Sequence, residues 1–471
     1  MRSRFLAVPF ALVLAAIGTT TAAPAASAAP APTASGPALT DPRPCAKQPG
    51  FTCSFLTVPL DHRRQGKGTV RLQVATSDNA KAPKGVLLFL TGGPGQPGAP
   101  FVQGIAKRMP DVAKNYRLVT IDQRGTGQYG ALDCPKLQAR VGSSDIVPPG
   151  PAEVAECAKL LGERRNYFTT EQTTDDLDLL RRALGVRTMA VDGVSYGTVT
   201  GASYAARYPR SVNKLVLDSV LPHVDPQRDN MLYLTGLRAT APVLRDACAT
   251  APACGFDPAA DLAWLARTRK DAVLIWDMLV TYQYIDPTFR DPDVLPGHSS
   301  DVVTAIHQAR HGSPARLNAL VRMLRPQAGK PTEFSAGLHI ATICGDGRFP
   351  WGTSQTPQAA RPAALELVRR HLPTRATWPF TADTAAGNGF VQACLRWPAT
   401  RYTAEPPAKL RVPALLLNGD RDLSTPVEWA REELRRAPLG KLVVVRGATH
   451  SVQDLERGTQ GRDAVARFLN G

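Results

Sequence analysis

The sequence lacks the features of several common classes of protein. It has no C-x-x-C pair, and its eight histidines do not cluster with its eight cysteines, which argues against a metal site. Aromatic residues amount to 6% and do not alternate with a basic stripe, so we expect no nucleic-acid partner. Beyond the amino-terminal segment no apolar run is long enough to span a bilayer, so we expect no integral membrane segment in the mature chain.

Two glycine-rich segments lack what nucleotide binding requires. The loop TGGPGQPG (91–98) contains no lysine, whereas a phosphate-binding loop reads G-x-x-x-x-G-K-[ST]. The segment GTGQYG (125–130) is a formal G-x-G-x-x-G after a strand, but LDCP (132–135) follows it instead of an opening helix. We interpret the first loop as a source of backbone N–H groups for an oxyanion, and Asp122 and Arg124 as residues that brace the loops of a site.

The amino terminus reads as a secretory signal. Arg2 and Arg4 precede an apolar stretch, Phe5–Ile17, and ASA (26–28) fits a cleavage site. We therefore predict a signal peptide over 1–28, then a disordered Pro/Ala-rich linker over 29–44, and a soluble protein secreted from the cell.

An even number of cysteines is typical of disulfide-bonded proteins in an oxidising compartment, which agrees with export. Proximity in the sequence favours four local pairs and leaves other connectivities open. The pairs are Cys45 with Cys53, Cys134 with Cys157, Cys248 with Cys254 and Cys344 with Cys394.

The chain carries a net charge of +16, and about +14 remains once the two arginines of the signal are removed. The other arginines are dispersed along the sequence. This pattern favours a solvated basic surface, suited to weak association with anionic cell-wall polymers, on a protein that we expect to be a monomer.

Apolar runs that alternate with helical patterns predict a doubly wound, mostly parallel α/β sheet. A hairpin over 53–77 and buried strands begin this core, which we assign to 45–221 and 408–471. The strand–helix alternation stops over 222–407, and this stretch is predicted to be an inserted, mainly helical lid.

The pentapeptide GVSYG (193–197) lies between a predicted strand and a predicted helix. This is the context in which G-x-S-x-G forms a sharp turn that exposes a nucleophilic serine, here Ser195. His450 follows the last apolar strand, where a hydrolase of this order needs its base. Asp420 and Asp422 both follow the preceding strand, and we favour Asp422 as the acid.

Five blocks in the right order, TGGPGQPG, DQRGTG, GVSYGT, GDRDLSTP and GATH, resemble the secreted tripeptidyl aminopeptidases. These belong to the prolyl-iminopeptidase branch of the α/β-hydrolase fold. The resemblance implies that fold with an inserted lid, and its G-x-x-D-x-x-T-P motif places the acid at Asp422 rather than Asp420. A lid segment like ATICGD (341–346) with a later cysteine implies a Cys344–Cys394 bridge. Thr91 stands where the prolyl iminopeptidases usually have histidine.

The predicted reaction is acyl transfer to water without metal or organic cofactor. His450 takes the proton of Ser195, Asp422 orients the imidazole, and the amides of Gly93 and Tyr196 hold the oxyanion.

We expect a peptide substrate with a free N-terminus, and Asp346 is a candidate to meet its α-ammonium group. Two alternatives remain at this stage. A secreted carboxylesterase or lipase would use the same triad, and a non-catalytic protein would hold an anionic cell-wall polymer.

Overall fold

A computed structural model describes residues 36–471, apart from 65, 225–230, 250–253, 282–299, 324–328 and 402–404. The predicted signal peptide and most of the predicted linker lie outside the described residues. The chain from Pro37 to Gly471 forms one compact unit. Among the residues that the structure describes, no helix is both long enough and apolar enough to cross a membrane.

The described strands form one sheet in the order β1-β2-β3-β5-β4-β6-β7-β8-β9. Strands β1, β2, β3 and β5 pair antiparallel in that order, and every pair from β5 through β4 to β9 is parallel. The strands are β1 Leu39–Pro44, β2 Phe51–Pro59, β3 Thr69–Ser77, β4 Val86–Leu90, β5 Arg117–Ile121, β6 Met189–Val194, β7 Val212–Asp218, β8 Ala414–Gly419 and β9 Gly440–Val445.

Helices connect the parallel strands and fill the segment between β7 and β8. In the first part of the chain they are α1 Val102–Arg108, α2 Pro110–Asn115, α3 Gly127–Gly130, α4 Pro135–Val141, α5 Pro151–Leu161, α6 Thr170–Ala183 and α7 Tyr196–Arg207. Between β7 and β8 they are α8 Leu234–Ala249, α9 Pro258–Thr268, α10 Ala272–Thr281, α11 Ser300–Arg310, α12 Ala315–Met323, α13 Ala336–Asp346, α14 Arg361–His371, α15 Thr374–Thr377, α16 Ala382–Ala386 and α17 Gly389–Arg396. The last are α18 Val427–Arg436, α19 Val452–Leu455 and α20 Gln460–Asn470.

The central strands are apolar without alternation because both faces of the sheet are covered. Every residue of β4, β6 and β8 is buried. Successive side chains of a strand point to opposite faces, and Leu87 and Leu88 accordingly belong to two different apolar clusters. Leu215 and Val216 divide in the same way. The predicted doubly wound, mostly parallel sheet is confirmed.

The end of the predicted linker is structured. Residues Leu39–Pro44 form β1, which pairs antiparallel with β2 at the outer edge of the sheet. An edge strand tolerates Pro42 and Pro44, because their missing N–H groups face no partner strand. The assignment of 29–44 to a disordered linker is therefore corrected for these six residues.

The described part of the segment between β7 and β8 contains helices and a single isolated β-bridge, between Phe349 and Gly352. Its apolar side chains share one cluster with residues from the sheet side of the molecule, including Tyr196 and Val199 of α7. The structure joins the cysteines in the four pairs that sequence proximity favours. Among these, Cys344–Cys394 ties α13 to α17.

Candidate active site

Ser195 lies on the sharp turn between β6 and α7, with φ 57° and ψ −125°. A non-glycine residue held in such a region stores about 1–3 kcal/mol of backbone strain, which the surrounding structure must impose. The turn is tight enough that a Cβ on Gly193 would overlap the carbonyl oxygen of Gly197. A Cβ on Gly197 would overlap the carbonyl oxygen of Leu90. The sequence therefore folds here into the predicted elbow, with the Ser195 side chain partly exposed.

Two loops bring a carboxylate to a histidine beside this turn. Nδ1 of His450 lies 2.9 Å from Oδ2 of Asp422. Thr425 also holds this carboxylate, because its N–H donates to Oδ1 and its Oγ1 donates to Oδ2 of Asp422, at 2.8 and 2.6 Å. Asp420 instead accepts a hydrogen bond from the N–H of Gly447 at 2.7 Å. Of the two aspartates in this loop, the structure brings Asp422 to His450.

The pKa of His450 is raised above its ordinary value of 6.5. Burial alone would lower this pKa, but the negative charges of Asp422, Asp218 and Asp145 outweigh it. Carboxylates that favour the imidazolium stabilise the charge that a histidine acquires when it accepts a proton.

The segment that follows His450 rests on a buried carboxylate at the end of β7. Asp218 accepts the N–H groups of Val452 and Gln453 at 3.1 and 2.8 Å. The side chain of Gln453 then donates to Asp192 at 3.0 Å. Burial raises the pKa of Asp218 to about 7 and that of Asp192 to about 8. The position of His450 is thus fixed from the interior of the sheet.

Ser195 and His450 open into the same cavity, which has a volume of about 450 Å³. Gly92 and Gly93 of the glycine-rich loop line it beside the serine. The apolar part of its wall comes from Phe89, Phe101, Phe334 and Leu455. Two carboxylates complete it, Asp454, which pairs with Arg108, and Asp145.

The glycine-rich loop 91–98 is held by contacts inside it and by an aspartate of the core. Thr91 Oγ1 donates to the carbonyl oxygen of Gln96 at 2.9 Å, so the residue that replaces the usual histidine closes the loop. Asp122 accepts the N–H groups of Gly98 and Ala99 at 3.0 and 2.8 Å. Asp122 thus braces this loop as predicted. Arg124 lies elsewhere and pairs with Asp176 at 2.6 Å.

A helix of the inserted segment also contacts this loop. The N–H of Ser335, which caps α13, donates to the carbonyl oxygen of Gly95 at 2.9 Å. Nδ1 of His339 lies 2.8 Å from the carbonyl oxygen of Pro94, and its Nε2 lies 3.0 Å from Oδ1 of Asp145. Because a carbonyl oxygen only accepts, Nδ1 of His339 carries the proton of that contact. The lid thus positions the loop beside Ser195.

Asp346, the candidate for the substrate amine, does not line the cavity that contains Ser195. Its Oδ2 accepts the N–H and Oγ1 of Thr170 at 2.8 and 2.7 Å. Thr170 Oγ1 in turn lies 2.5 Å from the hydroxyl of Tyr196. Burial raises the pKa of Asp346 to about 6. The carboxylate therefore anchors the end of α13 to the start of α6.

The sequence profile of the family described as alpha/beta hydrolase fold matches residues 85–456. The chain therefore belongs to the α/β-hydrolase fold family, as the motif blocks indicate, and it is a serine hydrolase.

Its curated relatives include peptidases. Over 204 residues it is 33% identical to a tripeptidyl aminopeptidase of Streptomyces lividans, a stretch that covers 39% of this chain and 37% of that protein. The chain thus matches well under half the length of this relative. Over 457 residues it is 25% identical to the serine protease Hip1 of Mycobacterium tuberculosis, which covers 86% of this chain and 82% of that protein. It is also similar to a proline iminopeptidase of Neisseria gonorrhoeae, 29% identical over 139 residues, which cover 29% of this chain and 34% of that protein.

Sequence reasoning missed Asp145, which lines the cavity, and His339, which contacts both Asp145 and the glycine-rich loop. Asp145 follows α4 in a loop without a recognisable motif, and His339 lies within the helical pattern of α13. One signal was available. Phe334, Ser335 and His339 lie just before the segment 341–346, which resembles a segment of the peptidase family.

Proposed function

We propose that this protein is a secreted serine exopeptidase that forms an acyl-enzyme and releases short peptides, tripeptides in particular, or amino acids from free peptide N-termini. Support comes from the similarity to a tripeptidyl aminopeptidase and to a serine protease. The observation that carries the proposal is the composition of the cavity. Ser195 and His450 share it with Asp145, a carboxylate suited to a substrate ammonium group.

The proposed chemistry begins at the elbow. His450 removes the proton of Ser195 as the serine Oγ attacks the scissile carbonyl carbon. Asp422 holds Nδ1 of His450 and stabilises the imidazolium that results. The imidazolium then protonates the leaving amine, and water repeats the attack on the acyl-enzyme with His450 again as the base.

Backbone amides would stabilise the oxyanion. Tyr196 is the first residue of α7, so its N–H has no acceptor within the helix. Gly93 lines the cavity on the opposite side of Ser195, with φ +110°. Donors held in place before the reaction reorganise little as charge develops on the carbonyl oxygen.

Asp145 is the group that we propose for the substrate α-ammonium, in place of Asp346. Its side chain is 26% exposed and lines the cavity, where the substrate ammonium would share the carboxylate with Nε2 of His339, 3.0 Å from Oδ1. Asp346 contacts Thr170 and does not line the cavity. The negative charge of Asp145 also helps to raise the pKa of His450. A carboxylate at a fixed distance from the nucleophile limits how many residues fit between the amine and the scissile bond.

The domain assignment is part of the proposal. Residues 1–28 would direct export, which agrees with four disulfides in the structure. Residues 222–407 would act as a lid that narrows access to Ser195, since α13 contacts the glycine-rich loop.

The test compares free-amine tripeptidyl and aminoacyl arylamides with their N-acetylated forms. We expect cleavage of the free-amine tripeptidyl substrates and loss of turnover on acetylation. Asp145→Asn should lower kcat/KM for the free-amine substrates by roughly 10- to 100-fold, the range for an interaction with a charged group. Asp454→Asn is the matched control, because this carboxylate lines the same cavity but contacts a permanently charged arginine, Arg108, whereas Asp145 contacts a histidine.

The apolar side chains of the cavity favour a second candidate, an esterase that binds an acyl chain against Phe101 and Phe334. Short acyl esters in the same panel separate the two. Turnover of esters with no turnover of any arylamide would assign the protein to the esterases and contradict the peptidase proposal.

A further inference from the structure

Two histidines and a carboxylate meet on the inserted helical segment, apart from the Ser195 cavity. Asp261 lies on α9, His307 lies on α11, and His311 directly follows the end of α11. One nitrogen or oxygen donor atom from each of the three residues lies within 4.8 Å of the others. The sequence analysis expected no metal because histidines and cysteines do not cluster. This group contains no cysteine, and its third member comes from a distant part of the sequence.

The spacing of the two histidines places them on one helical face. The N–H of His311 donates to the carbonyl oxygen of His307 at 3.2 Å, so the helical geometry continues through His311. Residues four apart on a helix are neighbours, and the two ring centroids are 4.5 Å apart. This arrangement allows both imidazoles to reach one ion.

His307 is oriented by its neighbours on two sides. Its Nδ1 lies 2.7 Å from Oδ2 of Asp261, and the ring of Phe256 stacks on it with centroids 3.9 Å apart. A carboxylate beside one ring nitrogen fixes the tautomer and the orientation of many metal-ligating histidines. An ion that binds here therefore meets one imidazole that is already held in place.

We propose that Asp261, His307 and His311 bind a divalent transition-metal ion of the Zn²⁺ class. Imidazole and carboxylate ligands suit Zn²⁺, Ni²⁺ and Cu²⁺, whereas Ca²⁺ and Mg²⁺ prefer sites made of oxygen ligands. The ion would link α9 to α11 and would bind the folded chain in preference to the unfolded one. It would thereby stabilise the insertion.

The test uses the full mature chain after treatment with a chelator, titrated with ZnCl₂ by calorimetry and followed by thermal unfolding. We expect one ion per chain and a higher Tm in the presence of Zn²⁺. His311→Gln should weaken binding at least 10-fold and abolish the rise in Tm. Asp261→Asn should weaken binding at least 10-fold, because it removes the anionic ligand of the three.

His311 is exposed, so we expect the glutamine variant to fold, and its Tm without metal checks this. His371→Gln is the matched control, because it removes another exposed histidine at the end of a helix and should leave Zn²⁺ binding unchanged. The proposal is overturned if the native chain shows no saturable binding, or if His311→Gln binds as tightly as the native chain. Loss of binding in His450→Ala with retention in His311→Gln would place the ion at the active site and overturn it equally.

Discussion

The two sides of the Ser195 cavity are held in place by different parts of the molecule. The elbow is fixed within the sheet, where Gly193 and Gly197 approach backbone carbonyls so closely that no side chain fits. The glycine-rich loop opposite depends on the insertion, because Ser335 and His339 of the lid hold the carbonyls of Gly95 and Pro94. In the proposed mechanism the nucleophile is thus held by the core, and the proposed oxyanion donors are held by the core and the inserted segment together.

Because the elbow and the glycine-rich loop are held by different segments, substitutions in the two segments should affect catalysis differently. We expect a substitution in the inserted segment to shift the backbone donors next to Ser195 without altering the elbow. We expect a substitution of Ser195 itself to remove most of the activity. The predictions below separate these two contributions.

The largest effect is expected from the core. Ser195→Ala should lower kcat by roughly 10⁴- to 10⁶-fold, because it removes the nucleophile and leaves only the oxyanion donors and substrate binding. Steady-state hydrolysis of an arylamide or ester measures the loss. The Tm should stay close to that of the native chain, and a variant that retains most of its activity would contradict the assignment of Ser195.

A smaller effect is expected from the lid. His339→Gln weakens the hold on Pro94 and should lower kcat by about tenfold with little change in KM, since a misplaced loop donor acts mainly on the transition state. Steady-state values of kcat and KM, determined separately, measure this split. His371→Gln, a histidine replacement elsewhere on the insertion, serves as the control. If His339→Gln behaves like that control, the lid does not position the loop.

The pH dependence of kcat/KM measures the pKa of His450. Catalysis requires neutral His450, and the raised pKa of this residue means that kcat/KM should climb with pH through an apparent pKa above 6.5. Asp145→Asn removes one of the charges that raise this pKa, so it should shift the acid limb to lower pH. The profile is measured on p-nitrophenyl acetate, which has no amine for Asp145 to bind. An acid limb at or below 6.5 in the native chain would contradict this electrostatic account.

The smallest effect concerns the buried carboxylates beneath His450. The pKa of Asp192 is raised from 3.8 to about 8 in the folded chain, so folding binds a proton that the unfolded chain has released. The resulting stability is present below about pH 4 and is lost as pH rises through 8. The unfolding free energy should therefore fall between pH 5 and 8, and it should fall less steeply in Asp192→Asn. Asp383→Asn, an exposed aspartate, should follow the native curve, and an equal slope in Asp192→Asn would refute the prediction.

The sequence predicts the core half of the site well, for physical reasons. Ser195 and Asp422 follow strands whose residues are all buried, His450 follows the apolar edge strand β9, and parallel strands end at the same edge of the sheet. A strand buried on both faces is recognisable as an apolar run, so its end is recognisable too. The structure accordingly brings Asp422 to His450.

The part of the site that involves the inserted segment depends on contacts between residues far apart in the sequence, and no local sequence pattern predicts such contacts. His339 and Pro94 are 245 positions apart, and an ordinary helical histidine gives no sign of such a contact. Asp346 fitted a lid motif, yet its carboxylate lies on Thr170 and not in the cavity. Strand β1 was missed because proline-rich composition indicates a linker, whereas pairing with β2 decides its structure.

The central claim is that Ser195 is a nucleophile activated by His450. Incubation with a fluorophosphonate, followed by intact mass and peptide mapping, tests it most directly. The account predicts one adduct per chain on Ser195, and a strongly reduced rate of labelling in His450→Ala. A chain that takes up no adduct, or takes it up at another residue, would contradict the account.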